Sequence, residues 1–190
     1  MRRVKFMNTE VFQQFFAYCV GSWQTERTYH YLAAQEVERS RTEFLIQPLT
    51  REIKQKVLTD NHYADIADLE TIPGFNLGFY TISEKGEEVR QNLNLLFVVK
   101  AENNGYLEGD YLRDRAYEEA RPIISAFRFD STTRELLMTT NYTRSVSVDS
   151  ITLINPELRI RKIINYQRPQ EGEPLEKVLL VGFGVECKVS

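Results

Sequence analysis

Hydrophobic and polar residues alternate with a period of two along most of the chain. This pattern predicts ten strands, at residues 23–32, 41–48, 75–82, 91–101, 106–116, 123–130, 135–142, 144–154, 158–166 and 177–189. Short turn signals separate them, and Asn104-Gly105 is typical of a two-residue hairpin. Strands joined by tight turns pair antiparallel, and ten of them must close or form a sandwich to hide their edges. We therefore expect a closed up-and-down barrel.

Two segments follow the helical period instead. The first carries an apolar stripe made of Val11, Phe12, Phe15, Phe16, Cys19 and Val20. Asn8 or Thr9 would cap its N-terminus, and Gly21 would follow its C-terminus. A second, short helix is predicted from residue 50 or 51 to residue 59. The expected fold class is mainly β, an antiparallel barrel of about ten strands with these two helices, and residues 1–190 are expected to form a single domain.

Composition narrows the class of protein. The 24 basic and 27 acidic residues give a net charge of −3 and are scattered, which argues against nucleic-acid binding because that needs a concentrated basic face. No apolar run approaches the roughly 20 residues of a membrane span. No signal peptide is predicted at the start of the sequence, so we expect the two cysteines to be free thiols in a reducing, cytoplasmic compartment.

The sequence offers few residues for metal or nucleophilic chemistry. His30 and His62 are far apart and lack the spacing of a metal motif, so no metal site is predicted. Cys19 lies on the apolar helical stripe. Cys187 shares one face of the last strand with apolar residues such as Val181 and Val185, which predicts a buried and inert thiol. No nucleophile elbow is present in the sequence.

Charged residues inside predicted strands are the more informative signal: Arg27, Asp149, Arg159, Arg161 and Glu186. They are either outward, solvated charges and rim ion pairs, or a site in the lumen. Arginine beside carboxylates and aromatic rings suits a flat conjugated ligand with carboxylates and a protonatable nitrogen. Gly182 and Gly184 share a face with Glu186 and would leave lumen volume. Periodicity leaves open which face of the last strand points inward.

Three segments carry recognisable motifs in a consistent order. The first has Gly-Ser-Trp at 21–23 and Arg-Thr-Tyr-His-Tyr-Leu at 27–32, directly after the first helix. The second begins at Asp149 and ends in Pro-Glu-Leu-Arg-Ile-Arg at 156–161, and the third is Gly-Phe-Gly-Val-Glu-Cys-Lys at 182–188. Together they resemble the S-type phycobiliprotein lyases, the CpcS/CpeS chromophore lyase family. Asp149 stands where that family usually has glutamate, and Thr152-Leu153 replaces its aromatic pair.

The resemblance implies a barrel like those of lipocalins and fatty-acid-binding proteins. It also implies a bilin lyase, which binds a free phycobilin and attaches it by a thioether bond to a cysteine of an apo-phycobiliprotein (a phycocyanin, allophycocyanin or phycoerythrin subunit). Phycocyanobilin or phycoerythrobilin would be the substrate, so no cofactor is expected. The expected assembly is a homodimer or a heteromer with a related lyase subunit, in the cyanobacterial cytosol or in an algal plastid stroma.

The resemblance also implies roles for the charged residues. Arg27 and Arg159 would grip the bilin propionates or order the pocket, with Arg161 as a further ligand contact. Asp149 and Glu186 would favour protonation of the pyrrole nitrogens, which makes the ethylidene group more electrophilic. The predicted catalytic residues are therefore Asp149, Glu186 and Arg159.

Aromatic residues complete the predicted pocket. Trp23 and Tyr29 would form its wall, with ordinary core packing as the alternative for Trp23. Tyr80 or Phe79 would replace the pocket tryptophan of the family. A competing function is a non-catalytic carrier of a tetrapyrrole or fatty acid, which would need one or two basic lumen residues and no essential carboxylate.

Overall fold

Ten antiparallel strands form a closed barrel in the computed structural model, which describes residues 2–114 and 121–189 and the side chains from residue 8 onward. Each strand pairs with the next along the chain, and the last pairs with the first, so no edge is left open. The predicted fold class is confirmed. The strands are β1 (Gly21–Tyr31), β2 (Glu36–Pro48), β3 (Gly74–Ser83), β4 (Glu88–Asn103), β5 (Tyr106–Arg113), β6 (Ile123–Asp130), β7 (Glu135–Asn141), β8 (Ser145–Asn155), β9 (Leu158–Gln167) and β10 (Val178–Lys188).

Most strand boundaries agree with the prediction to within three residues. The main difference is β2, which begins five residues before the predicted start because Glu36 to Ser40 pair with the end of β1. The strand predicted at 106–116 ends at Arg113, and residues 115 and 116 lie outside the described part of the chain. Asn104 and Gly105 both have positive φ angles, 50° and 85°, as the hairpin prediction requires.

The first helix, α1 (Arg2–Cys19), closes one end of the barrel. Phe12, Phe15 and Phe16 are buried and pack on aromatic rings of the strands; for example, the rings of Phe12 and Phe127 stack with centroids 5.5 Å apart. The prediction that Asn8 or Thr9 caps the helix is wrong, because both lie inside it. The Asn8 amide instead donates to Glu102 (2.7 Å) and accepts from the Ser131 hydroxyl.

The second helix, α2 (Arg51–Asp60), lies on the outside of the barrel. Its N-terminus is capped by Thr50, whose hydroxyl accepts from the Ile53 N–H. Val57 and Leu58 bury outward-facing residues of β4 and β5, among them Leu96 and Leu112. Within the described residues, no helix has the length and apolar character of a membrane span.

The structure shows which face of β10 points into the lumen. Gly182, Gly184 and Glu186 are buried, whereas Phe183 and Cys187 are exposed. The prediction of a buried Cys187 is therefore wrong. The apolar face points outward because the other face carries Glu186, whose charge finds its partners inside the barrel.

Candidate active site

A cavity of about 410 Å³ lies in the lumen of the barrel, next to α1. It extends to the opposite end, where Tyr31 and Val89 line it and are both more than one-third exposed. This volume lies within the range of small-molecule pockets. Four arginines line the cavity: Arg27, Arg113, Arg159 and Arg161. The cavity can therefore receive an anionic ligand through the end that α1 leaves free.

A buried cluster of charges forms the floor of the cavity. Glu186 is fully buried on β10 and accepts from Arg159 Nε at 2.6 Å and from Arg27 Nη2 at 3.1 Å. Barrel closure brings these residues together, since Arg159 lies opposite Glu186 in the β9–β10 register and Arg27 lies on β1, the other neighbour of β10. Burial alone would raise the pKa of Glu186, but the guanidinium groups of Arg159, Arg27 and Arg161 outweigh burial and hold that pKa below its ordinary value.

Two aromatic rings contact the guanidinium group of Arg159. Its guanidinium lies 4.7 Å from the ring centroid of Trp23 and 5.1 Å from that of Phe44. Trp23 is 1% exposed and donates its indole N–H to the Cys19 carbonyl at 2.8 Å, which ties β1 to the end of α1. Trp23 is therefore a core residue beneath the cavity and not part of its wall, as the core-packing alternative expected.

A second ion pair lies above the floor. Arg161 on β9 donates from Nε to one oxygen of Asp149 on β8 at 3.0 Å and from Nη2 to the other oxygen, a bidentate arrangement. Both side chains line the cavity and keep about one-fifth of their surface exposed. Desolvation would lower the pKa of Arg161, but the Asp149 carboxylate outweighs it and raises that pKa well above its ordinary value. Asp149 is thus a carboxylate within reach of a ligand.

The two glycines of β10 accommodate neighbouring side chains. A Cβ atom on Gly182 would lie 2.8 Å from the ring of Tyr29, and one on Gly184 would lie 3.0 Å from Cγ of Arg27. Tyr29 and Arg27 therefore fold across β10, which lets Arg27 reach Glu186. The expectation that these glycines leave free lumen volume is corrected, since the neighbouring side chains use that space.

We expect Gly184→Ala to lower the free energy of unfolding by about 1–3 kcal/mol, because the added methyl group displaces the stem of Arg27 and the Thr25 hydroxyl. Urea unfolding measures the change. Gly78→Ala is the matched control, since its nearest contact would be an ordinary 3.5 Å to the Asn92 amide. Equal stability of the two variants would contradict the close packing of Arg27 on β10.

Tyr80 does not face the cavity. Leu77, Phe79 and Thr81 of β3 line it, so the intervening Tyr80 lies on the outer side of the barrel, where Arg90 covers its ring at 4.2 Å. The prediction that Tyr80 lines the pocket is wrong, and Phe79, the other predicted residue, takes that position. Because side chains alternate between the two faces of β3, these adjacent residues point to opposite sides of the barrel wall.

Arg113 is the main residue of the cavity that sequence reasoning missed. It lies at the end of β5, is 6% exposed, and donates from Nη2 to the Tyr142 hydroxyl at 2.9 Å. The sequence did indicate that Arg113 faces inward, because it shares one face of a predicted strand with Leu107 and Tyr111. Burial raises the pKa of Tyr111 to about 12, so its phenol stays neutral beside these charges.

Unpaired polar atoms concentrate in this cavity. Among the described residues, five buried polar side-chain atoms lack a hydrogen-bond partner, and all five belong to residues that line the cavity: Arg27 Nε, Ser40 Oγ, Arg113 Nε, Arg159 Nη1 and Asn165 Oδ1. Buried polar groups are normally paired. Their grouping in one place indicates a site prepared for a polar ligand.

Similarity to a known family extends over most of the chain. The family model of CpeS-like proteins matches residues 11–189, which is nearly the whole chain. The chain belongs to the CpeS-like family. The resemblance seen in the sequence motifs is thereby confirmed, and the matched region of this CpeS-like protein includes Arg27, Asp149, Arg159 and Glu186.

Individual relatives support the family assignment. A Synechococcus protein named chromophore lyase CpcS/CpeS 1 is 60% identical over 94% of this chain and 97% of its own length. A Picosynechococcus protein named phycocyanobilin lyase subunit CpcS is 23% identical, over 78% of this chain and 75% of its own. The structure of the S-type phycobiliprotein lyase CpeS from Guillardia theta has the same fold as this CpeS-like protein, with a TM-score of 0.75, 18% identity, and coverage of 98% and 97% of the two chains.

Proposed function

We propose that this CpeS-like protein is a chromophore lyase that binds a free phycobilin in its barrel and joins it to a cysteine of an apo-phycobiliprotein. The observation that carries the proposal is the cavity carboxylate Asp149, held by Arg161, together with the buried carboxylate Glu186, held by Arg27 and Arg159. A carrier of apolar acids needs positive charge alone. The relative with 60% identity, named a chromophore lyase, supports the same conclusion.

The reaction is the addition of a thiol across a carbon–carbon double bond. The sulfur of the acceptor cysteine forms a bond to the exocyclic ethylidene carbon, the double bond opens, and the thiol proton is balanced by a proton gained by the bilin. No electrons are lost or gained overall. The lyase need not supply the nucleophile, which agrees with its own thiols, since Cys19 is buried beneath the cavity floor and Cys187 faces outward.

Asp149 is the carboxylate best placed to act on the bilin. It lines the cavity and keeps part of its surface exposed. A carboxylate beside the pyrrole nitrogens stabilises their protonated form, and protonation draws electron density from the ethylidene group. Arg161 orients Asp149 through its bidentate contact.

Glu186 acts differently from Asp149. It is fully buried, and both of its oxygens accept from arginines, so it positions Arg27 and Arg159 at the cavity floor. Both arginines retain an unpaired buried N–H, at Arg27 Nε and Arg159 Nη1, and both line the cavity. The positive charge of these two arginines would attract a propionate carboxylate to the cavity floor.

The substrate, partners and location are further parts of the proposal. Phycocyanobilin is favoured over phycoerythrobilin, because the Picosynechococcus relative is named a phycocyanobilin lyase subunit. Because that relative is named as a subunit of a lyase, a heteromer with a related lyase is favoured over a homodimer. The bilin is the substrate and not a resident cofactor, and relatives from cyanobacteria support the cyanobacterial cytosol as the location.

The test is covalent attachment. We expect the protein, mixed with phycocyanobilin and separate apo-phycobiliprotein subunits, to give a covalent adduct on a denaturing gel, detected by zinc-enhanced fluorescence. A reaction without the protein measures spontaneous addition, and phycoerythrobilin tests the choice of bilin. The proposal is rejected if no subunit gains bilin above that background, whether the protein acts alone or with a related lyase subunit.

A further inference from the structure

We infer that Arg113 and Tyr142 form a second carboxylate-binding subsite, on the wall of the cavity across from β10. This inference rests on the proposed bilin ligand, which carries two propionates. In the strand order of the closed barrel, β5 lies five positions from β10, so Arg113 and Glu186 belong to opposite walls. The subsite would hold one propionate away from the Arg27–Glu186–Arg159 cluster.

The geometry of Arg113 is well defined. Its Nη2 donates to the Tyr142 hydroxyl at 2.9 Å, and its guanidinium lies 5.3 Å from the ring centroid of Tyr111 and 5.7 Å from that of Tyr142. These contacts orient the guanidinium plane. Because the Tyr142 oxygen accepts from Arg113, its own proton remains available to donate. Arg113 Nε and the Tyr142 hydroxyl are thus two donors on residues that line the same cavity.

The charge balance of the cavity supports a ligand carboxylate at this place. Arg27 and Arg159 pair with Glu186, and Arg161 pairs with Asp149. Within residues 8–114 and 121–189, Arg113 has no carboxylate within 4 Å.

The buried Nε of Arg113 also lacks a hydrogen-bond partner. Among the described residues, the Asp149 carboxylate acts on Arg113 only from beyond ion-pair distance, so the buried guanidinium is costly and a ligand carboxylate would supply a direct counter-charge. Within the described part of the chain, the other lumen arginines already have an ion-pair partner, so Arg113 gains more than they do from a ligand carboxylate.

The experiment compares phycocyanobilin with its dimethyl ester, which lacks both negative charges. Dissociation constants are measured by absorbance titration for the wild type, Arg113→Gln and Arg128→Gln. We expect Arg113→Gln to weaken binding of the free acid about tenfold or more and to leave binding of the ester unchanged. Arg128 is an exposed residue of β6, so Arg128→Gln removes the same charge outside the barrel. We expect this control to leave the dissociation constants of both the acid and the ester unchanged.

Each outcome separates the two hypotheses. The subsite is overturned if Arg113→Gln binds the free acid as tightly as the wild type does. It is also overturned if the variant loses affinity equally for the acid and the ester, because that result indicates a packing role. Wild-type protein that binds neither form overturns the proposed function itself. If Arg113→Gln does not fold, Tyr142→Phe decides in its place: we expect about a threefold loss for the acid alone, and an unchanged affinity overturns the subsite.

Discussion

Replacing Glu186 with glutamine is expected to lower the free energy of unfolding by about 3–5 kcal/mol, because it leaves the buried guanidinium groups of Arg27 and Arg159 without their counter-charge. Glutamine has nearly the same shape, so the change reports on charge rather than on a cavity. Its amide group also places a donor where Arg159 or Arg27 now donates to an oxygen. Urea unfolding at neutral pH measures the effect.

The matched control for this prediction is Glu43→Gln. Glu43 also pairs with an arginine, Arg41, but both side chains are more than 60% exposed. Exposed pairs contribute little, and we expect a loss below about 1 kcal/mol. A loss for Glu186→Gln no larger than that of the control would show that the buried cluster does not stabilise the fold.

The stabilisation by Glu186 should depend on pH with a definite sign. The arginines hold the pKa of Glu186 below its ordinary value of 4.5 in the folded state, so its contribution is fully present above the unfolded pKa. It is lost as the pH falls through the folded pKa. The difference in stability between wild type and Glu186→Gln should therefore be constant from pH 7 to about pH 5 and shrink below it. A difference that grows in acid would contradict the lowered pKa.

The second large effect is expected for Asp149→Asn in bilin transfer. We expect the rate of covalent attachment to fall about 100-fold or more, because asparagine cannot stabilise the protonated pyrrole system. Binding of free phycocyanobilin should change less than about threefold, since asparagine keeps one acceptor for Arg161 and the freed Arg161 donors remain attractive to a propionate. The measurements are the rate of adduct formation and the dissociation constant from absorbance titration.

Asp110→Asn is the matched control for that experiment. The Asp110 side chain is 17% exposed, as is that of Asp149, and it pairs with Lys100 outside the cavity. We expect this variant to transfer bilin at the wild-type rate. If Asp149→Asn weakened binding and transfer by the same factor, Asp149 would be a binding residue and the catalytic role would be withdrawn.

The strand pattern of this protein was readable from local chemistry. Asn104-Gly105 forms the hairpin turn that its composition predicts, because few other residue pairs adopt two consecutive positive φ angles. Trp23, Arg27 and Tyr29 lie on one face of β1 as period two requires. The second helix was also predictable from its apolar spacing.

The cavity was only partly predictable. Five charges inside strands were predicted as site candidates, and all five lie inside the barrel: Arg27, Asp149, Arg159 and Arg161 line the cavity, and Glu186 is buried beneath it. Tyr80 was misplaced because its neighbour Phe79 has similar chemistry and the opposite orientation. Arg113 could not be found from the family motifs, because β5 lies outside all three of them.

The sequence by itself determined the alternation of each strand, the turns between strands, and the motifs of the CpeS-like family. Those features are local, since they depend on backbone preferences and on the spacing of neighbouring residues. Only the tertiary structure decided which face of β10 points inward, because that choice depends on partners far away in the chain. Glu186 meets Arg27 across 159 positions, and a buried carboxylate is stable on that face only because barrel closure brings two arginines to it.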